Sequence, residues 1–461
     1  MTVEVRKYAM KVLQGDMMTP ISVYQSLTGQ HKMLFESSAK HEESGRYSFI
    51  ALNPVAELKG NKEEFYFSKG QENDKSKGNV LDKLKKVIPF HEESYPFAFF
   101  GGAIGYFGYE TAFYTEKIGE YLQDELVMPD VHVFFYDTFI VFDHLTQEIT
   151  LASIDLFQEG RSLAEMENAI ATMEQQLCAG TTFEALQVDE LLFKPMLSKK
   201  QFVSLVDRAK QHILRGDIFQ IVLSQRFSAP FTGSPFSLYR QLRTSNPSPY
   251  MFYMDFGSYI ILGTSPESLV KVKNRMVTTN PIAGTKPRGE TTVQDEVIAK
   301  ALLEDEKEIA EHRMLVDLGR NDLGRIAKVG TVKLMKYMTI ERYKYVMHIV
   351  SEVTAELRDD LHILDVLRAS LPAGTVSGAP KIRAMQLINE LESIKRGVYA
   401  GAVGYISTTG DMDLALAIRT MIIKDQQAHV QAGAGIVYDS DPLSEYEETL
   451  NKARALLEVR K

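Results

Sequence analysis

Four glutamates in two short stretches have the types and spacing for chemistry. Glu308 and Glu311 lie three apart in KEIAEHRMLVDLGRND, and Glu445 and Glu448 lie three apart in DPLSEYEETLNKARALL. Residues three apart share one face of an α-helix, so each pair presents its carboxylates together. Two such pairs suit a hard divalent cation that also holds an anionic substrate. For either pair alone the competing reading is a solvated helix face. The second pair has the better-defined setting. Asp441 is a good N-cap and Pro442 fits the first helical position, which puts Glu445 and Glu448 in the early turns. Lys452, one turn beyond Glu448, reads on sequence alone as its i,i+4 ion-pair partner.

Other residues could join that chemistry. Arg419 lies in DLALAIRTMII, read as an apolar strand, where an unpaired arginine is costly. An anion-binding role is therefore favoured over a buried structural pair. GAGIVY, residues 433–438, has small residues whose backbone N–H groups could cradle an anion, or could simply end a strand tightly. Its glycine spacing is not that of a dinucleotide site. His348, within VMHIV, fits a satisfied core histidine. Glu267 follows Ser-Pro in a loop and could cap a helix or serve as a general acid. Cys178 is the single cysteine, which excludes an internal disulfide and a Cys-based zinc site, and its surroundings are not those of a nucleophile.

The elements that must position these groups are mixed. The chain has 461 residues, 44% hydrophobic and 25% charged, enough for one large core or two domains. A net charge of −9 argues against general nucleic-acid binding. No signal peptide and no membrane-spanning run is read, so a cytoplasmic protein is expected. Residues 33–37 and 45–54 read as strands, 61–79 as a polar hairpin, and 131–154 as a strand pair around 143–147. The glycines of PFAFFGGAIGYFGYE predict close backbone packing at a sheet. A helix is expected over 161–177, and 178–196 reads as a linker between halves. Ser198 should cap the next helix, ended by Gly216, and 218–227 should be a strand with Phe219, Ile221, Leu223 and Phe227 on one face and Gln220, Ser224 and Arg226 on the other. A hairpin turning at Gly257 leads to Glu267. Residues 345–357 look strand-like, LPAGTVSGAPK is a Gly/Pro loop feeding a helix, and VYAGAVGYIS, DLALAIRTMII and HVQAGAGIVY are read as a three-strand meander. The strands lack βαβ alternation.

In this order and spacing, PIAGTKPRG, KEIAEHRMLVDLGRND, PAGTVSGAPK and DSDPLSEYEETLNKA resemble the chorismate-binding enzymes over about residues 196–455. Leu34-Phe35-Glu36-Ser37 and Gly45-Arg46-Tyr47-Ser48 resemble the N-terminal region of the amino-acid-forming members, which usually carry Leu where Phe35 stands. The resemblance implies an α+β fold of two large packed antiparallel sheets flanked by helices, with the site between them. It implies an N-terminal region, 1–195, contributing a tryptophan regulatory site, and a catalytic region, 196–461. Glu308, Glu311, Glu445 and Glu448 would form a Mg2+ region, directly or through water. Lys452, Tyr399, Arg419 and the backbone of Gly433, Ala434 and Gly435 would bind the carboxylates of chorismate, with Gly284, Thr285 and Thr375 along the ring. Glu267 would protonate the departing C4 hydroxyl, and His348 would assist loss of pyruvate. The family's lysine nucleophile is replaced here by Ala283, and its water-activating lysine by Gln220. That makes the chain most similar to members that add free ammonia and form anthranilate and pyruvate. Members that form aminodeoxychorismate, or a non-catalytic amino-acid sensor, are the alternatives. Ammonia from glutamine would come from a separate amidotransferase subunit. Tryptophan would bind as inhibitor at Glu36, Ser37, Asn246, Pro247, Pro249, Tyr250 and Met251. The chain itself contains no tryptophan.

Overall fold

A computed structural model describes residues 8–37, 45–92, 95–180, 191–342 and 346–457. Most of the expected linker (181–190) and the expected strand start at Tyr345 lie outside these residues. Helix starts follow the local chemistry. Ser198 accepts from the backbone of Gln201 and Gln201 returns a bond, a capping box opening the helix Lys199–Leu214. Ser162 does the same for Leu163–Cys178. Asp305 caps Glu306–Gly324 through the N–H groups of Lys307 and Glu308. Asp441 accepts from the Ser444 N–H at 2.8 Å at the start of Pro442–Leu457.

The strands form two twelve-stranded sheets, antiparallel throughout their named pairings, with helices packed around them. Each sheet draws on both regions of the sequence. In the first sheet, Met33–Glu36 pairs with Tyr250–Asp255, so a strand from the N-terminal third lies directly beside one from the second half of the chain. In the second, Gly102–Phe107 pairs with Ala402–Ser407. Side chains at Gly102 or Gly105 would run into the backbone of Ile406 and His132, so the glycine-rich run is there for close approach across the sheet, as expected. The main core lies between the sheets and is rich in aromatic rings, among them the fully buried Phe99, Phe100, Tyr106 and Phe139.

Three local readings are corrected. Residues 131–154 hold three strands, not two. Val131–Tyr136 belongs to the second sheet, and after Asp137 the chain enters the first sheet as Thr138–Asp143 and Glu148–Ile154. Likewise 413–423 is two strands: Met412–Leu416 lies in the second sheet and Thr420–Lys424 in the first. Arg419 therefore sits at the crossover, with φ +47°, and the three predicted strands do not form one meander. Phe219 precedes its strand (Gln220–Pro230) and is 74% exposed, rather than sharing the apolar face of Ile221 and Leu223.

Candidate active site

A cleft of about 660 Å³ opens where the sheets meet the C-terminal helix. Its floor comes from two neighbouring strands of the first sheet. Gln220 and Val222 lie on one, and Gly433 and Gly435 on the other, with Val222 opposite Gly435 and Ser224 opposite Gly433. A side chain at Gly433 would stand 2.7 Å from the Tyr399 hydroxyl, and one at Gly435 would stand 2.9 Å from Gln220 Nε2. These glycines keep the floor open. Ala434, between them, turns its methyl into the core and is fully buried. The strand period of two explains this division.

The second sheet supplies the opposite wall. Ile282–Pro287 bulges between Ala283 and Thr285, and Gly284 takes φ +68° there. That conformation favours glycine. A Cβ at Gly284 would sit 3.2 Å from Glu308 Oε2, so this turn is also where a carboxylate approaches the backbone. His348, on Val346–Glu356, places Nδ1 3.0 Å from Thr285 Oγ1 and 3.1 Å from the Gly284 carbonyl. A proton on Nδ1 fits that carbonyl. Burial lowers the His348 pKa, which favours the neutral ring. The sequence reading of a core histidine thus gives way to one on the cleft wall.

All four glutamates line this cleft, from two helices. Burial, and then the neighbouring Glu311, raise the pKa of Glu308. Burial raises Glu445, and Glu448 adds to the effect. Gln220 Nε2 donates to Glu311 Oε1 at 3.5 Å, while Gln220 Oε1 is buried and without a described partner. Lys452 makes the expected i,i+4 contact with Glu448 at 2.7 Å and also donates to the Gly433 carbonyl at 3.0 Å. Arg419 reaches the cleft with no ion-pair partner among the described residues. Among the described residues no three His, Cys, Asp or Glu side chains form a ready-made metal cage. The donor set nevertheless fits a hard divalent cation. It is all oxygen, and two members are pushed toward protonation by burial and further by a neighbouring carboxylate, a repulsion that a cation would relieve.

Glu267 sits at the far end with one side-chain partner: Thr375 Oγ1 donates to its Oε1 at 2.7 Å. Burial outweighs that bond and the field of Lys452, and pushes its pKa up to about 7. A carboxylic acid poised there can give a proton near neutrality.

Two residues that hold the site escaped the sequence reading. Arg396 and Glu392 form a buried ion pair at 2.6 Å. Arg396 donates to the carbonyls of Val222 (2.8 Å) and Val376 (2.7 Å) and lies 5.6 Å from the Tyr399 ring centre. It ties three walls of the cleft together. The signal available was two opposite charges four apart, but the helix stops at Leu391, so helical spacing did not apply.

The residues assigned to regulation gather elsewhere. Glu36, 4% exposed, accepts from Tyr239 Oη at 2.7 Å and from Arg243 at 2.8 and 2.9 Å. Met251 stands opposite it in the sheet, and Ser37 Oγ next to it is buried with no described partner. Asn246 ends the helix Pro235–Ser245, Pro247 and Pro249 follow in the connection, and the Tyr250 hydroxyl donates to Asp413 at 3.0 Å.

The family described as chorismate binding enzyme matches residues 30–458. The anthranilate synthase component 1 of Lactococcus lactis is 45% identical over 451 residues, 97% of this chain and 99% of that protein. The crystal structure of anthranilate synthase component I from Streptococcus pneumoniae is similar with a TM-score of 0.85 at 47% identity, covering 98% of this chain and 99% of that one. The menaquinone-specific isochorismate synthase of Escherichia coli shares the fold, with a TM-score of 0.73 at 19% identity over 98% and 95% of the two chains.

Proposed function

Because the chain belongs to the chorismate-binding enzymes, we propose that it is the chorismate-converting component of an anthranilate synthase, forming anthranilate and pyruvate from chorismate and ammonia. The observation that carries this reading is Glu267, a buried carboxyl pushed up to about 7, facing a cleft also lined by Lys307, Arg419, Lys452 and four glutamates. Chorismate is a dianion with a poor leaving group at C4. Arg419, Lys452 and the open backbone at Gly433 and Gly435 receive its carboxylates, with Tyr399 beside them and Thr285 and Thr375 along the ring. Glu308, Glu311, Glu445 and Glu448 would hold Mg2+, which supplies charge neutralisation for the substrate.

Glu267 gives its proton to the leaving hydroxyl, and Thr375 fixes the carboxyl that does so. Gln220 cannot deprotonate water, and Ala283 offers no amine, so the nucleophile that fits is ammonia, neutral and needing no base. His348, neutral and oriented by the Gly284 carbonyl, assists the loss of pyruvate. In this reading a glutamine amidotransferase subunit delivers ammonia in the cytoplasm. Tryptophan binds at the Glu36–Met251 cluster, so residues 1–195 contribute the regulatory site and 196–461 the catalytic one. The experiment is to mix the purified chain with chorismate, Mg2+ and ammonium and follow anthranilate fluorescence. Product should form, and chelation of Mg2+ should abolish it. No anthranilate, or full activity in chelator, overturns the reading.

A further inference from the structure

Glu267 stands between two cavities. In front is the cleft, and behind is a small cavity of about 40 Å³ walled by the helix Glu306–Gly324, by residues 279–281 and by residues 370–375. Glu267 and Thr375 line both. The rear cavity has room for roughly two or three waters. Its wall carries Ser370, 5% exposed, and Ser268, whose hydroxyls are buried with no hydrogen-bond partner among the described residues. Buried hydroxyls without a partner call for a ligand, and in a polar cavity of this size that ligand is water. Asp322 lies on the same wall, held by Lys381 at 2.6 Å. The Glu267 carbonyl accepts from Leu416 N–H at 3.0 Å, which fixes the backbone that carries the carboxyl.

We propose that this rear cavity holds a short water wire, oriented by Ser370 and Ser268, that returns a proton to Glu267 through the Thr375 hydroxyl while the cleft is still occupied. A threonine hydroxyl donates one bond and accepts two. Thr375 donates to Glu267 on the front side and accepts from water on the rear side, which is the arrangement a relay needs. The inference rests on the proposed reaction. Chorismate and ammonia yield anthranilate, pyruvate and water with no net uptake of a proton. Per turnover one proton leaves with the C4 hydroxyl as water and one enters the pyruvate methyl. One is released from the added nitrogen and one from C2, so the sum is zero. The proton on Glu267 is nevertheless spent early, while the ring still fills the front. The wire hands one proton to the carboxylate and draws one from solvent, with no net change. Ser370 and Ser268 are positioning residues, since they act through water.

The test uses Ser370→Ala, Ser370→Thr and the double variant Ser268→Ala/Ser370→Ala with chorismate, Mg2+ and ammonium. In rapid-quench experiments the first turnover should match wild type, because Glu267 starts protonated. Steady-state kcat should fall about three- to tenfold in Ser370→Ala and further in the double variant. The solvent deuterium isotope effect on kcat should rise, and Ser370→Thr should restore both values. Equal slowing of first and later turnovers would mark a structural role and overturn the proposal, and so would an unchanged kcat with an unchanged isotope effect. A crystal structure of the chain gives an activity-free check: waters within hydrogen-bond distance of Ser370 Oγ and Thr375 Oγ1 support the wire, and a dry cavity overturns it. If wild type makes no anthranilate the functional reading has failed, which is distinguishable from an active wild type with indifferent serine variants.

Discussion

Glu36 and Glu267 are two carboxylates set in the two walls of one hairpin's neighbourhood, and they are treated in opposite ways. Glu36 pairs across the sheet with Met251, Met251 pairs with Thr264, and Glu267 follows three residues later. Glu36 has three donors, two of them from a guanidinium. Glu267 has one hydroxyl and a pKa of about 7. A carboxylate held by three donors is fixed in place, and one left nearly alone in a buried wall can exchange a proton. The first arrangement holds a charge in one geometry, and the second suits the acid role proposed for Glu267.

The comparison breaks most visibly at the acid. Glu267→Gln should lower kcat by roughly 10²–10⁴-fold, the usual scale for losing a general acid. The same change should stabilise the fold on the alkaline side. The folded pKa is above the unfolded one, so as pH rises from about 4.5 to 7 the folded state holds a proton the unfolded state has lost, and stability falls across that window. Glutamine removes that loss, a gain on the order of 1–3 kcal/mol by urea unfolding at pH 8. In the wild type, the limb of the pH–rate profile that reports Glu267 should fall as pH rises through about 7. A flat profile from pH 6 to 8 would remove Glu267 from the acid's role.

Arg243→Ala would move Glu36 toward the condition of Glu267. Leaving a buried charge with only Tyr239 should cost about 3–5 kcal/mol in denaturant unfolding. A loss under 1 kcal/mol at pH 8 would show that Glu36 is better solvated than its 4% exposure indicates. The smallest effect on turnover belongs to Ser37→Arg. If tryptophan binds at the Glu36–Met251 cluster as proposed, this change should leave kcat within about twofold while relieving inhibition, because an arginine there crowds the groups around Glu36. Unchanged sensitivity to tryptophan would place the regulatory site elsewhere.

What could be read from the sequence followed from local periodicity. The two glutamate pairs were legible because residues three apart on a helix must face one way, and the cap at Asp441 fixed where the second of those helices begins. The division of Gly433, Ala434 and Gly435 between cleft and core follows from the strand period, and so was available. What was not legible was which sheet a strand joins. At Asp137 and again at residues 417–419 the chain leaves one sheet for the other within a few residues, and the hydrophobic pattern on either side is the same. Arg419 looked like a strand residue for that reason. Lys452 shows a different limit: the ion pair with Glu448 was read from spacing, but its reach to the Gly433 carbonyl depends on a tertiary contact that no local pattern encodes.

The seam between Gly102–Phe107 and Ala402–Ser407 has a consequence for how the chain is made. Phe100 and Ser407, joined there by a 3.0 Å hydrogen bond, are 307 positions apart. At roughly 5–20 residues per second, a ribosome needs about 15–60 s to span that interval. Throughout it the strand Gly102–Phe107 has no partner on one side, and the strand Met33–Glu36 waits for Tyr250–Asp255 in the same way. Unpaired edges of this kind are the surfaces through which nascent chains stick to one another. The geometry that seats the cleft between two shared sheets therefore leaves the growing polypeptide with open strand edges until its later strands emerge.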